Sequence, residues 1–295
     1  MSMWKECEGL QEELVKIRRE LHQIPEFGFD LPETQKYVTD KLDELGIPYK
    51  CSGTDSSIIA EIKGGQPGKT VALRADMDAL KITEANDVDY KSKHEGLMHA
   101  CGHDNHIAML LGAAKVLNAH KAEIKGNVRL LFQTAEELSK GAEIMIKDGA
   151  MDGVDAVFGQ HIGSIINKDI PAGKVIVTPG CCMASFDRFV IHVKGTGCHG
   201  STPEKGTDPI TMASHIVINL QEIIAREVSA VKAAVVTIGY FHGGVAYNAI
   251  PSEVEIEGTI RALEEPIRQY LAKRIEEIAK STAATFRGIA EVEMD

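Results

Sequence analysis

The residues best suited to chemistry lie in one short run, Met98-His99-Ala100-Cys101-Gly102-His103-Asp104-Asn105-His106, which gathers imidazoles, a thiol and a carboxylate just before an expected helix. Thiolate and imidazole donors together suit zinc, manganese, cobalt or nickel, and a Cys-Gly-His spacing can aim two donors at one ion or at two neighbouring ions. Any one of these histidines could instead be solvated, with Asp104 or Asn105 capping a helix. The density of ligands favours metal. Downstream, Asn127 to Phe132 reads as a strand running into Gln133-Thr134-Ala135-Glu136-Glu137, which sets two adjacent carboxylates at a strand's C-terminal end. Ligands of open α/β sheets gather at that edge. Neighbouring side chains diverge, so one carboxylate can bind metal while the other faces substrate and moves protons. His161 follows another short strand, Ala156 to Gly159. Asp76 and Asp78 follow the strand Thr70 to Arg74, where they could orient metal-bound imidazoles or simply make a turn.

The elements that must position these groups fall into two patterns. In the first half, Leu10, Leu14, Ile17 and Leu21 mark a helix face, and a second helix from Glu33 to Leu45 stops at Gly46. The strand Ile58 to Ile62 and the three strands named above alternate with helices at Ile107 to Asn118 and Gly141 to Lys147. That order predicts an α/β domain over residues 1–180, with a largely parallel, mixed sheet covered on both faces. A second domain, residues 181–295, reads as strand (Phe186 to Lys194), helix (Asp208 to Arg226), two strands (Ala233 to Tyr240, Glu253 to Arg261), helix (Glu265 to Ala284) and strand (Ala290 to Met294). This is the ferredoxin-like α+β order, βαββαβ.

Composition narrows the function. The chain has 295 residues, is 44% hydrophobic and carries a net charge of -11, which argues against nucleic acid or an acidic membrane as partner and favours a small-molecule substrate. There is no apolar run of membrane-spanning length and no signal-peptide pattern at the N-terminus, so a cytoplasmic location is expected. The six scattered cysteines read as reduced thiols.

The series Arg-Ala-Asp-Met-Asp-Ala-Leu (74–80), His-Ala-Cys-Gly-His-Asp (99–104), Ala-Glu-Glu (135–137) and Gly-Gln-His (159–161) resembles the aminoacylase and hippurate hydrolase group of dinuclear metallopeptidases over essentially the whole chain. The resemblance implies a metal-dependent hydrolase of the amide bond in N-acyl amino acids or short peptides. It implies two divalent ions, Mn2+ or Zn2+ with Co2+ or Ni2+ as options. Cys101, His103, Glu137 and His161 are then metal ligands, Glu136 the general base and Asp78 the supporting carboxylate. The second domain becomes an inserted lid that also mediates homodimerisation. Within it His199, in Gly-Thr-Gly-Cys-His-Gly-Ser, stabilises the oxyanion, commonly at the partner's site, and Asn248 and Arg261 hold the substrate carboxylate. A bidentate guanidinium suits that last task.

Two departures stand out. Thr134 replaces the usual Pro and Leu138-Ser139-Lys140 replaces a Gly-rich stretch, while His161 lacks the family's aromatic and proline neighbours; these affect the pocket more than the reaction. In the family the chain also returns from the lid to finish the catalytic sheet and to supply a final histidine ligand. The expectation here is an incomplete metal site and a catalytic domain with an exposed apolar flank. Alternatives are an inactive binding homologue and a mononuclear zinc hydrolase using Cys101, His103 and His161.

Overall fold

The computed structural model describes residues 3–163 and 171–295, and the chain divides into two compact units, Met1–Lys174 and Val175–Asp295.

In the first unit, helices α1 (Met3–Glu8), α2 (Gln11–His22) and α3 (Pro32–Glu44) precede strands β1 (Tyr49–Cys51), β2 (Ile58–Lys63) and β3 (Gln66–Asp76). Helix α4 (His103–Ala119), β4 (Lys125–Gln133), α5 (Gly141–Lys147) and β5 (Ala156–Gly159) follow. The expected stop after α3 is present: Gly46 has φ +63°, and Ile47 N–H returns to the Leu42 carbonyl at 3.0 Å. The five strands form one sheet in the order β1-β2-β4-β3-β5. Here the sequence reading needs correction. The β4-β3-β5 core is parallel, but β2 pairs antiparallel with both β1 and β4, so half of the sheet's pairings are antiparallel. Short strands joined without a crossover helix, as β1 and β2 are, can only turn back.

Both faces of this sheet are covered. On one, Leu21, Leu31, Val38, Leu42, Ile107 and Leu111 from the helical side close over Ile58, Leu130 and Phe132. On the other, Met145 and Ala150 cover Ala72 and Leu131. Helix α4 is apolar nearly all round, which is the pattern of a helix buried in the core. At the sheet's end β5 is exposed along its whole length, with Val157 and Phe158 open to solvent.

The second unit has β6 (Asp187–Lys194), β7 (Cys198–His199), α6 (Pro209–Glu222), β8 (Ala234–Gly243), β9 (Ala249–Ile250), β10 (Glu253–Ala262), α7 (Glu265–Thr285) and β11 (Ile289–Met294). The four long strands pair antiparallel in the order β11-β6-β10-β8, which is the ferredoxin-like arrangement. Phe189, Ile191 and Val193 alternate along β6 and, with Val254 and Ile256, pack on Met212, Ile216 and Leu220 of α6 and on Leu271, Ile275 and Ala279 of α7. Asp208 caps α6 by accepting the Ile210 N–H at 2.9 Å, with Pro209 at the first helical position. β7 and β9 form a separate two-stranded ribbon.

Candidate metal centre

The three parallel strands end level with one another, Asp76 opposite Gln133 and Arg74 opposite Gly159. Their C-terminal ends therefore deliver Asp76 and Asp78, the Glu136-Glu137 pair and His161 to one edge. Helix α4 brings its N-terminus to the same edge. It begins at His103, earlier than periodicity suggested, so His103 and His106 sit in its first turn and not ahead of it. Neither Asp104 nor Asn105 caps it: the N-cap is Gly102, at φ +88°. A Cβ there would lie 2.0 Å from the Ile162 side chain, so glycine is what lets the segment after β5 approach the helix start.

His103 is the hub. It is wholly buried, and its Nε2 lies 3.6 Å from Asp76 Oδ2, 3.8 Å from Glu137 Oε1 and 3.9 Å from Glu136 Oε2, while its Nδ1 lies 3.5 Å from Asp78 Oδ1. None of these contacts is a good hydrogen bond. Both ring nitrogens of His103 and Oε1 of Glu137 are buried with no hydrogen-bond partner, a costly state for protein groups alone. Cys101 Sγ stands 3.3 Å from His161 Nε2, and His161 Nδ1 donates to the Ile162 carbonyl at 2.8 Å. That second bond fixes the tautomer and leaves the Nε2 lone pair facing inward, as for a metal-ligating imidazole. Ligand atoms of Cys101, His103 and His161 converge within 4.8 Å, and so do those of His103, Glu136 and Glu137.

A third convergent set, Asp76, His103 and His106, reads differently because two of its members are already engaged. His106 Nδ1 donates to Asp76 at 2.5 Å and its Nε2 accepts the Ile162 N–H at 3.0 Å. Asp76 also accepts from Arg74 at 2.7 Å. Arg74, Asp76 and His106 thus form a relay that anchors the backbone beside His161. Sequence reasoning gave Asp76 a supporting part and placed His106 in the ligand-rich run, but assigned it no role of its own. Its spacing of three residues after His103, on a helix, was the available signal. Asp78 accepts the backbone N–H groups of Glu136 at 3.0 Å and Glu137 at 3.1 Å, which fixes the carboxylate turn. That turn is strained: Ala135 (φ 48°) and Ser139 (φ 56°) bracket the pair in left-handed conformations, so the serine stands in a glycine-like geometry within the stretch where glycine was expected. Thr134, in place of proline, donates to Asp55 Oδ2 at 2.6 Å.

Electrostatics fit a cation. Burial pushes the Cys101 thiol up to about 12, helped by the carboxylates of Glu137 and Glu136, so a thiolate here needs a positive charge beside it. Burial also raises the Glu136 carboxyl, opposed by the nearby His103 imidazole, while the Asp76 and Glu137 charges push it further. For Asp76 the penalty of burial is outweighed by His106, His103 and Arg74, which hold it well below the usual carboxylate range.

In the second unit, His199 is exposed on β7 with Nδ1 2.8 Å from Ser201 Oγ. It pairs with Ala249 across the ribbon, and Gly200 N–H donates to the Asn248 carbonyl at 2.8 Å, so His199 and Asn248 share one ribbon end. Arg261 is not with them. It lies at the far end of β10, its guanidinium 4.3 Å from the Phe186 ring.

Residues 72–293 match the sequence pattern of Peptidase family M20/M25/M40. The chain belongs to this family. It is 42% identical over 278 residues to an N-acetyl-L-cysteine deacetylase of Bacillus subtilis (strain 168), covering 94% of this chain and 66% of that protein. It is 42% identical over 269 residues to an N-acyl-L-amino acid amidohydrolase of Geobacillus stearothermophilus, covering 91% of this chain and 72% of that protein. Among solved structures, the Bacillus subtilis YXEP protein, a dinuclear metal-binding peptidase of the same family, superposes with a TM-score of 0.82 at 37% identity, covering 97% of this chain and 74% of that one. The family suggested by the four motifs is therefore the right one.

Proposed function

We propose that this member of the M20 family hydrolyses the amide bond of N-acyl amino acids or short peptides. One observation carries the reading: buried donors of His103 and Glu137, unpaired within the protein, converge at a strand-end edge with Cys101, His161 and Glu136. The donor set fits divalent metal. Cys101, His103, Glu137 and His161 would hold it, with Mn2+ or Zn2+ as the leading candidates and Co2+ or Ni2+ as options. When bound, a pair of such ions supplies Lewis-acid polarisation of the carbonyl and a lowered pKa for water.

The chain's own residues do the rest. Glu136, half-buried with its carboxyl raised, takes the proton from the attacking water at a carboxylate oxygen and returns it to the leaving amine. Asp78 keeps Glu136 and Glu137 facing their separate tasks by holding both backbone N–H groups. Asp76, through His106, holds the segment that carries His161. His199 is the proposed donor to the oxyanion. Asn248 is the proposed holder of the substrate carboxylate, with Arg261 a candidate whose stacking on Phe186 must first be released. We assign the second unit the part of a lid and homodimerisation surface. No described helix is long and apolar enough to cross a membrane, and the six free cysteines are in keeping with the cytoplasm.

The test is metal content per chain by mass spectrometry together with hydrolysis of N-acetyl amino acids in added manganese. Two metals and turnover support the reading. One metal held by Cys101, His103 and His161, with turnover, would favour the mononuclear alternative, and ligand binding without metal or turnover would overturn hydrolysis in favour of a binding protein.

A further inference from the structure

Behind the metal centre, unit 1 buries a second group of charges that hydrolysis does not use. Asp104 is the residue after His103 and is fully buried. Its Oδ2 accepts from His22 Nδ1 at 2.7 Å and lies 2.9 Å from Arg18 Nε, while its Oδ1 accepts the Asn105 N–H at 3.0 Å. His22, at the end of α2, is itself buried, and its Nε2 donates to Glu84 Oε1 at 3.2 Å. Glu84, 4% exposed, accepts the Ser92 N–H at 2.7 Å and Asn86 Nδ2 at 3.1 Å. Tyr90 covers the group, edge-on to His22 at 5.8 Å, with the Arg18 and Arg19 guanidinium groups 5.2 and 4.6 Å from its ring centre.

Adhesion between α2 and α4 does not require this arrangement. Ile17 and Leu21 of α2 already join Ile107, Leu110 and Leu111 of α4 in one apolar core. Buried ion pairs add little net stability, and what they can add is a unique geometry. The geometry at stake is the first turn of α4. Consecutive helical side chains diverge by about 100°, so His103 faces the strand ends while Asp104 faces α2. The turn has no side-chain cap and starts from a left-handed glycine; His106, bonded to Asp76 and to the Ile162 N–H, holds its sheet-facing side, and the Asp104 group holds the side that faces α2.

We propose that His22 is a positioning residue of the metal centre. By bridging Asp104 and Glu84 it clamps the turn that carries His103 to α2 on one side and to the 84–92 segment on the other. The proposal rests on the metal reading above and adds to it a part for residues outside the ligand set. Removing the imidazole leaves two buried carboxylates facing each other across a gap, and the turn rotates to relieve them. Loss of a group that orients a metal ligand commonly weakens metal affinity about 10- to 100-fold.

The experiment is chelator competition for Co2+ and Zn2+, with the Co2+ absorption bands recorded, on the full chain and on His22→Gln. Lys115→Met is the control, since it removes a different α2–α4 tie, the exposed 2.6 Å pair with Glu13. The expected result is an affinity loss of about 10- to 100-fold in His22→Gln, altered Co2+ bands, unchanged far-ultraviolet dichroism, and Lys115→Met matching the parent. Affinity and bands equal to the parent in His22→Gln would overturn the clamp, as would an equal loss in Lys115→Met. If His22→Gln does not fold, Glu84→Gln, which removes the outer charge from the group while leaving His22 and Asp104 in place, is read in the same way with a smaller expected loss. A parent chain that takes up no metal overturns the proposed function and the clamp with it, whereas parent binding with unaltered His22→Gln overturns the clamp alone.

Discussion

The two units bury their polar groups in opposite ways. The second is largely apolar inside: among its described residues only Asp187 and Thr282 are polar residues buried as a whole, Asp187 is held by Arg268, and Ser185 adds a buried hydroxyl oxygen. The first buries His22, Glu26, Asp76, Asp78, Glu84, His99, His103, Asp104 and His106, of which Asp76, Asp78, His103 and His106 gather at one strand-end edge. Burial also pushes His99 down to about 4, so that it stays neutral, and neither of its nitrogens has a partner. One unit is therefore organised for folding and the other for a site, whose buried polar groups must be offset by surrounding structure.

That contrast can be broken or sharpened in order of effect. The largest effect belongs to Glu136→Gln: turnover of an N-acetyl amino acid should fall by about 10²- to 10⁴-fold with metal content unchanged, and normal turnover would refute the assignment. Next comes Leu271→Ala in the second core, expected to cost about 2–5 kcal/mol in denaturant unfolding of that unit while metal affinity in the first is unchanged. Coupled losses in both would show that the units are not energetically separate. Ser139→Gly, which removes a left-handed serine, should stabilise unit 1 by about 1 kcal/mol in thermal unfolding.

A subtler effect is the pH dependence of the His22 group, faced by Asp104, Arg18, Glu84, Tyr90 and His99. Burial lowers the His22 pKa, but its bonds to Asp104 and Glu84 outweigh this and raise it above the ordinary value of 6.5. Its contribution is therefore fully present below 6.5 and is lost as pH rises through the raised folded value. Asp104 and Glu84 run the other way. Their pKa values are depressed despite burial, Asp104's by His22, His99 and Arg18 and Glu84's by Ser92, Asn86 and His22, so their contribution is present above about 4 and lost as pH falls. The stability gap between parent and His22→Gln should be widest between about pH 4.5 and 6.5 and narrow on either side, and a gap independent of pH would contradict this charge assignment. The smallest effect is Lys115→Met, an exposed pair worth under about 1 kcal/mol.

Much of this was legible in the sequence. Alternation along Phe186 to Lys194 and the βαββαβ order matched the long strands and helices of the second unit to within a few residues at their ends, because a half-buried antiparallel sheet writes its pattern directly into the chain. The first unit was harder. Its β1 is three residues long and half-buried, too short to leave a period, and the antiparallel β2 could not be told from a parallel strand by composition. The metal cluster was legible as a cluster, but its division of labour was not. That His106 is engaged with Asp76 and Ile162, while His103 is not hydrogen-bonded at all, depends on which way each ring points from α4. The clamp at His22 left no local mark, since its partners lie 62 and 82 positions away.

That long spacing has a further consequence at Cys101 and His161, which meet although 60 positions apart. Their encounter, and that of His103 with Glu137, requires β3, β4 and β5 to be in register first, and contacts so distant in the chain form late because loop closure must precede them. Before that point the chain offers an ion only local donors such as Cys101 and His103, not the full ligand set. Uptake of metal would mark the end of folding for this unit, and the cell's choice of metal would act on a finished cage.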